Sequence, residues 1–233
     1  MDKNSNTYTF IYSSVMVILV AAALAFTNGA LKEKQAKNED IDKMSQILRS
    51  VKIQATLDNA EDLYNKTVTT AYVLDSKGNV TISDAREAFI VNISKEVLKP
   101  VEERKLPVYE ALVGGEKKYI LPVYGAGLWG PIWGYVSLNA DKKTIFAASF
   151  SHKGETPGLG AEINTMKFQK QFEGKEILKE GSFKSIAVLK SGQKVEGQDT
   201  VDGISGGTIT SKGLEAMLKN SLSAYDAFFN DKK

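Results

Sequence analysis

Residues 106–123 read LPVYEALVGGEKKYILPV, two strand-like runs, Leu106–Leu112 and Lys118–Val123, joined by a glycine-rich turn. Both runs are rich in the β-branched and aromatic residues that favour strands, and glycine permits a tight reversal between them. Two further runs of this kind follow at Gly134–Asn139 and Thr144–Ser149. Because short turns join neighbouring strands in antiparallel order, this stretch predicts a mostly antiparallel sheet.

The sequence on either side of this stretch adds a hairpin and several helices. Ala71–Leu74 and Val80–Ile82 flank the turn-forming residues 75–79, which predicts a β-hairpin. Apolar periodicity and turn signals predict the other elements: helices at Asp58–Val68 and Asn164–Phe172, a strand at Ser185–Leu189, and a final helix from about Thr210 to Phe228. The predicted fold class is therefore α+β, with helices flanking the sheet.

The segment Tyr8–Ala30 contains no charged residue and is long enough to cross a hydrocarbon core of ~30 Å as one helix. A cleaved signal peptide is the alternative, with a cut near Ala23–Ala25. The anchor is favoured because the preceding residues are weakly basic and the apolar run is longer than a usual signal core. Four parts are predicted: a tail at 1–7, a transmembrane helix at 8–31, a connecting helix at 32–55 and the domain at 56–233.

Charge and composition exclude several classes of function. The chain has 30 basic and 28 acidic residues, so no overall positive field favours a nucleic-acid partner. It has no cysteine, which excludes disulfides, thiolate catalysis and cysteine-ligated iron–sulfur clusters. His152 is the only histidine, which excludes a histidine-rich metal site. We therefore predict neither a metal site nor a catalytic residue in this chain.

Residues 202–211 read DGISGGTITS and lie directly before the final amphipathic helix. A turn of small residues at a helix start presents free N–H groups and the positive end of the helix dipole, which suits a phosphate group. Its hydroxyls could also be joined to that phosphate covalently. The alternative is that Thr208 or Thr210 only caps the helix. With the N-terminal span, the turn indicates a membrane-tethered carrier of a phosphate-bearing cofactor.

Two other loops contain glycine patterns. Residues 125–130 match G-x-G-x-x-G, but strand-like residues follow instead of a helix, so we predict a loop between strands and no dinucleotide site. Residues 151–160 read SHKGETPGLG and combine a histidine, a carboxylate and a hydroxyl with proline and glycine. Loops of this kind often line ligands, although the residues alone favour an ordinary surface loop.

Together these segments resemble the C subunits of bacterial Na⁺-translocating NADH:quinone reductases and, more broadly, the FMN-binding domains that include the G subunits of Rnf complexes. In that family a flavin transferase joins FMN through its phosphate to a threonine in the motif Asp-x-x-Ser/Thr-Gly-Ala-Thr. Asp202, Ser205, Gly206 and Thr208 match this motif. The resemblance therefore implies Thr208 as the attachment residue.

One position departs from the motif. Gly207 stands where the family usually has alanine, so a methyl group is missing and we expect attachment to survive in a looser turn. Thr210, two residues beyond Thr208, is the alternative acceptor. The other residues implied to lie near the flavin come from the loop that resembles the family segment His/Lys-x-Glu-Thr-Pro-Gly-Leu-Gly: Glu155, Thr156, Gly158 and Leu159.

The resemblance extends to the loop between the strands, where Gly127–Trp129 followed by Gly134 and Tyr135 is similar to the family pattern of the C subunits. We expect the flavin ring to be covered by the loop at 155–160 and by residues near 127–129, with one edge exposed for electron exchange. For His152 a role in shaping its loop is favoured, and a role as proton donor is the alternative.

The resemblance implies an electron-transfer subunit that carries covalent FMN in a Na⁺-translocating NADH:quinone oxidoreductase and has no NADH site of its own. Its implied partners are the other subunits, a flavin transferase and the lipid bilayer. The implied location is the inner membrane with a periplasmic domain, although Lys32, Lys34 and Lys37 after the span favour the opposite orientation. The alternatives are an Rnf-type G subunit and a membrane-anchored binding or assembly module without a redox role.

Overall fold

The computed structural model describes residues 5–230 and divides the chain into two units, one ending at Lys43 and one beginning at Met44. The first unit is a helical stretch that belongs to α1 (Asn6–Arg49). By length and composition, α1 is the one helix of the described residues that could cross a membrane. Residues 1–4 of the predicted tail and residues 231–233 lie outside the described residues, and the predicted part boundaries stay predictions.

The second unit is built on a six-stranded antiparallel sheet in the order β2-β1-β3-β4-β5-β6. The strands predicted between residues 71 and 149 are all present, and β1 and β2 form the predicted hairpin. Their bounds are β1 (Val68–Leu74), β2 (Val80–Ile82), β3 (Leu106–Val113), β4 (Glu116–Ala126), β5 (Pro131–Leu138) and β6 (Ile145–His152). The predicted α+β class is confirmed.

Alternate residues of the sheet face two separate hydrophobic layers, as strand geometry requires. On β3, Val108 belongs to one buried cluster and Tyr109 to the other; on β4, Leu121 and Ile120 divide in the same way. The layer that contains Val108 and Leu121 also contains the apolar residues of α6 (Thr208–Leu222). The final helix therefore covers one face of the sheet.

The opposite face is covered by short helices and by the end of α1. Ile47, Leu48 and Val51 are fully buried there and belong to the same cluster as Tyr109 and Ile120 of the sheet. Two further helices contribute to this layer, α2 (Ala60–Thr67) and α3 (Ala85–Ile90). The sheet is thus sandwiched between two helical layers.

Two of the predicted helices differ from the observed ones. Within the predicted helix Asn164–Phe172, only α5 (Met166–Gln169) is α-helical, and 3₁₀ turns at 160–164 and 170–172 flank it. The final helix begins at Thr208, two residues before the predicted start, and ends at Leu222. The other described helical elements are α4 (Ile93–Glu96), a 3₁₀ turn at Val101–Glu103, a 3₁₀ turn at Ser223–Tyr225 and α7 (Asp226–Asn230).

Sequence reasoning missed three short strands near the end of the chain. Strands β7 (Leu178–Lys179) and β8 (Ser182–Phe183) form a small antiparallel pair. Strand β10 (Asp199–Asp202) pairs in parallel with the predicted strand β9 (Ile186–Leu189). Its sequence DTVD is short and polar, so only the non-local pairing with β9 makes it a strand. This pairing decides where the glycine-rich segment before α6 begins.

Helix α6 and the β4–β5 hairpin approach each other so closely that only glycine fits at the contact. A Cβ atom added to Gly213 of α6 would overlap the carbonyl oxygen of Ala126. A Cβ atom added to Gly125 of β4 would lie 2.7 Å from the Cβ of Met217. At Gly213 the helix backbone therefore rests directly on the strand backbone, and at Gly125 the Met217 side chain lies on the strand backbone.

This contact reverses the usual effect of a helix glycine. In an ordinary helix interior, replacing glycine by alanine stabilises the helix by about 1 kcal/mol. For Gly213→Ala we expect a loss of about 1–3 kcal/mol instead, because the new methyl group overpacks against Ala126. The midpoint of thermal unfolding, followed by circular dichroism, measures the change. The exposed control Asn220→Ala on the same helix should not lower it.

Candidate functional site

Residues 203–207, here called the glycine turn, connect β10 to α6. At the start of the turn, the Gly203 N–H donates to the Leu189 carbonyl oxygen at 2.6 Å. Gly207 is the N-cap residue of α6, and no side chain within residues 5–230 caps the helix there. Because first-turn amides have no acceptor within a helix, the start of α6 presents donors and the positive end of the dipole.

The glycine turn is held by hydrogen bonds within itself and to α6. The Gly207 N–H donates to the Ile204 carbonyl oxygen at 3.0 Å, and the Ile204 N–H donates to the buried Ser211 Oγ at 3.0 Å. Gly206 has φ +74°, a conformation that favours glycine. Sequence reasoning missed the role of Ser211, because a serine one turn inside a helix carries no distinctive pattern.

The two candidate acceptor threonines have different environments. Thr208 is exposed at the first position of α6. Thr210 is 1 % exposed, and its hydroxyl donates to Oε2 of Glu155 at 2.6 Å. The Thr208 hydroxyl is therefore accessible to a large partner, while the Thr210 hydroxyl is buried and engaged.

The loop that follows β6 lies against the glycine turn. A Cβ atom on Gly206 would lie 2.6 Å from Cδ2 of Leu159, and one on Gly207 would lie 3.3 Å from the amide nitrogen of Gly160. Together with the bond between Glu155 and Thr210, these contacts bring the two sequence segments into one site. Glu155 and Thr210, which are 55 positions apart in the chain, are thus neighbours in the structure.

The remaining residues of the predicted set occupy the borders of this site. Thr156 and Gly158 lie at the exposed tip of the loop after β6, where the Thr156 carbonyl oxygen accepts from the Leu159 N–H at 3.1 Å. The Asp202 carboxylate accepts from the Ser191 hydroxyl at 3.0 Å, so it anchors the loop between β9 and β10. Ser205 is exposed on the glycine turn.

Gly207 has close neighbours in spite of its missing methyl group. A Cβ atom there would lie only 3.0 Å from Cγ2 of Ile204, so this side chain fills much of the space that an alanine methyl group would take. The turn is therefore closely packed with glycine in this position. The looser turn expected from this glycine stays a prediction.

A cleft of ≈ 460 Å³ opens beside the glycine turn. Thr208 lines it, together with Lys212 from the first turns of α6 and Lys190 from the loop after β9. Lys212 also pairs with Glu215 at 2.6 Å. Exposed apolar side chains lie on the loops and helix start around the turn: Leu128, Trp129, Leu159 and Ile209. The surroundings of Thr208 thus offer positive charge for an anion and apolar surface for a flat ring.

Comparison with known proteins indicates the class of protein. Residues 127–223 match the family described as "FMN-binding domain". The match includes the β4–β5 loop, the loop after β6, the glycine turn and all of α6. The part of the chain that holds the glycine turn and the loop after β6 therefore matches the FMN-binding domains.

The full chain has more specific relatives. It is 31% identical over 217 residues to the C subunit of the Na(+)-translocating NADH-quinone reductase of Vibrio alginolyticus, covering 87% of this chain and 83% of the relative. The C subunit from Pseudomonas aeruginosa is 28% identical, covering 97% and 96%. This chain belongs to the family of Na⁺-translocating NADH-quinone reductase C subunits, which confirms the resemblance seen in the sequence.

Solved structures agree with this assignment. The crystal structure of the C subunit of the Na(+)-translocating NADH-quinone reductase from Parabacteroides distasonis matches with a TM-score of 0.81 and 48% identity, covering 87% of this chain and 98% of that one. The structure of Shewanella oneidensis NqrC, at 24% identity and a TM-score of 0.68, shares the fold. The predicted arrangement of sheet and flanking helices is that of these proteins.

The glycine turn should depend on Ser211 for its stability. Ser211→Ala removes the acceptor of the Ile204 N–H in a buried place, so we expect a loss of about 1–3 kcal/mol. The matched control Ser205→Ala, exposed on the same turn, should change stability by less than about 0.5 kcal/mol. Thermal unfolding of both variants measures the difference. Equal losses in the two would contradict the assigned role of Ser211.

Proposed function

We propose that the chain carries FMN covalently on Thr208 and transfers electrons as a subunit of a membrane-bound Na⁺-translocating NADH-quinone reductase. One observation carries the proposal: an exposed threonine stands at the uncapped start of α6 and lines a cleft of ≈ 460 Å³. The family supports it, because the relatives bear the name of such a reductase subunit and the domain is of the FMN-binding class.

The site fits the phosphate end of FMN. A phosphodiester on Thr208 keeps one negative charge, which the dipole and the free amides of α6 favour. Lys212 and Lys190 line the same cleft and add positive charge. The left-handed conformation of Gly206 and the closely packed Gly207 keep the turn narrow beside the helix start. Thr210 fits this role less well, because its hydroxyl is already donated to Glu155.

The attachment needs an activated donor, because free FMN could form the ester only by expelling water. In the proposed step, Oγ of Thr208 forms a bond to the flavin-side phosphorus of a flavin dinucleotide. The pyrophosphate P–O bond breaks and the nucleoside monophosphate leaves with the electron pair. The hydroxyl proton passes to a base of the flavin transferase. The chain contributes an accessible hydroxyl on a rigid turn.

When bound, FMN supplies a ring that can accept and release single electrons; the chain positions that ring and shields part of it from water. Leu128, Trp129, Leu159 and Ile209 provide exposed apolar surface around the turn, which favours burial of one part of the ring. Nδ1 of His152 accepts from the Glu155 N–H at 3.2 Å, which supports a loop-shaping role for this histidine.

The proposed place of the chain is between other redox subunits, with no NADH site of its own. The G-x-G-x-x-G pattern at 125–130 supports this, because it forms the β4–β5 hairpin and does not open a helix as a dinucleotide site requires. The named relatives favour the quinone reductase over an Rnf-type G subunit. We further propose that α1 anchors the chain in the inner membrane with the domain in the periplasm.

The attachment residue is tested by intact mass after co-expression with a flavin transferase. The wild-type chain should gain the mass of one FMN-phosphoryl group that survives denaturation. Thr208→Ala should lose this gain completely, and Thr208→Ser should keep it because the hydroxyl remains. Thr210→Val should still accept FMN, since its hydroxyl is not the proposed acceptor.

Two results would contradict this assignment in different ways. A gain that persists in Thr208→Ala and disappears in Thr210→Val would move the ester to Thr210. A wild-type chain that never gains mass or yellow colour would favour a binding or assembly module without a redox role.

The orientation is tested separately, because the charge pattern Lys32, Lys34 and Lys37 opposes it. Protease added to intact spheroplasts should digest the domain beyond residue 44 if it faces the periplasm. A cytoplasmic marker protein must remain intact in the same sample. Full protection of the domain would place it in the cytoplasm.

A further inference from the structure

Glu155 is a buried carboxylate at the meeting point of three separate segments. It follows β6, and its side chain is 5 % exposed. Oε2 accepts from the hydroxyl of Thr210 on the first turn of α6 at 2.6 Å. Oε1 accepts from the backbone N–H of Trp129 in the β4–β5 loop at 2.8 Å. One side chain thus bridges the helix start and the hairpin.

The surrounding backbone leaves space for this carboxylate and for little else. A Cβ atom on Gly127 would overlap Oε1 of Glu155. A Cβ atom on Gly160 would overlap Oε2 and would lie 2.5 Å from Oγ1 of Thr210. Two glycines from different loops therefore enclose the two oxygens, which explains why both loops lack side chains at these points.

The carboxylate is held by hydrogen-bond donors and not by a cation. Among residues 5–230 no ion pair involves Glu155, and its partners are a backbone amide and a hydroxyl. A buried charged oxygen requires such donors, and bonds to it are stronger than neutral ones. Removal of the side chain would leave a buried hydroxyl and an amide without their acceptor.

We propose that Glu155 is a positioning residue that locks the start of α6, and with it Thr208, against the β4–β5 hairpin and the loop after β6. The inference rests on the proposed function insofar as Thr208 bears FMN. Thr208 lies half a helical turn from Thr210, so a fixed Thr210 also fixes the backbone position of Thr208 and the direction of its Cα–Cβ bond. The bond to Trp129 holds the loop that carries the apolar surface beside it.

The first test is the rate of FMN attachment to the full chain in membranes, with purified flavin transferase and FAD, followed by intact mass. Glu155→Ala and Thr210→Val should each attach FMN about tenfold or more slowly, since each removes a buried charge-assisted bond. Thr210→Ser keeps the hydroxyl and should restore a rate near that of the wild type. Glu162→Ala, a partly exposed glutamate on the following turn, is the matched control and should attach normally.

The second test uses the flavin-free protein, so it does not depend on the cofactor. Exchange of the Trp129 amide proton with solvent, measured by NMR on the chain made without transferase, reports the bond to Oε1 directly. Glu155→Ala should exchange this proton at least about tenfold faster. Thr210→Val keeps the carboxylate and should change the exchange rate of the Trp129 amide proton less. Thermal unfolding of each variant identifies any that fail to fold.

The outcomes separate the two proposals. Attachment at the wild-type rate in both Glu155→Ala and Thr210→Val would overturn the positioning role, as would an unchanged Trp129 amide in Glu155→Ala. A folded Thr210→Ser as slow as Thr210→Val would also overturn it. A wild-type chain that accepts no FMN would overturn the proposed function, and the amide exchange alone would then decide whether Glu155 holds the hairpin. If Glu155→Ala does not fold, the attachment rates of Thr210→Val and Thr210→Ser decide whether the positioning role holds.

Discussion

The direct backbone contact between α6 and the β4–β5 hairpin is the constraint on which the rest of the site depends. Gly213 rests on the carbonyl oxygen of Ala126, and Gly125 lies against Met217. Because no side chain separates the two backbones at Gly213, the helix start lies close to the hairpin loop. Glu155 can therefore contact both at once.

A second constraint comes from the parallel pair of β9 and β10. This pairing fixes the position of Asp202 beside Leu189, and the glycine turn begins at the next residue. Asp202 then holds the loop after β9 through Ser191, and Ser211 holds the turn through Ile204. The exposed position of Thr208 results from these neighbours, since they fix the turn while leaving the first residue of α6 uncovered. Rigidity and exposure are thus combined at one residue.

Local patterns explain which parts of the fold could be predicted. The hairpin at 71–82 and the strands between 106 and 149 have clear turn residues between them, so neighbouring segments pair with each other. Strand β10 could not be found in this way, because it is short and polar and pairs in parallel with β9, whereas a turn signal indicates only antiparallel neighbours. The 3₁₀ turns around α5 were likewise missed, since short apolar segments do not reveal their helix type.

The sequence by itself determined the fold class, an apolar N-terminal helix long enough to span a membrane, and a hydroxyl-rich glycine segment before the final helix. Through family resemblance it also indicated the residues around Glu155 and Thr208 as members of one site. Only the tertiary structure decided that Thr208 is exposed while Thr210 is buried, and that Glu155 bridges Thr210 and Trp129. The physical reason is that exposure and hydrogen-bond partners depend on which distant segments pack together, and no local pattern of residues encodes that packing.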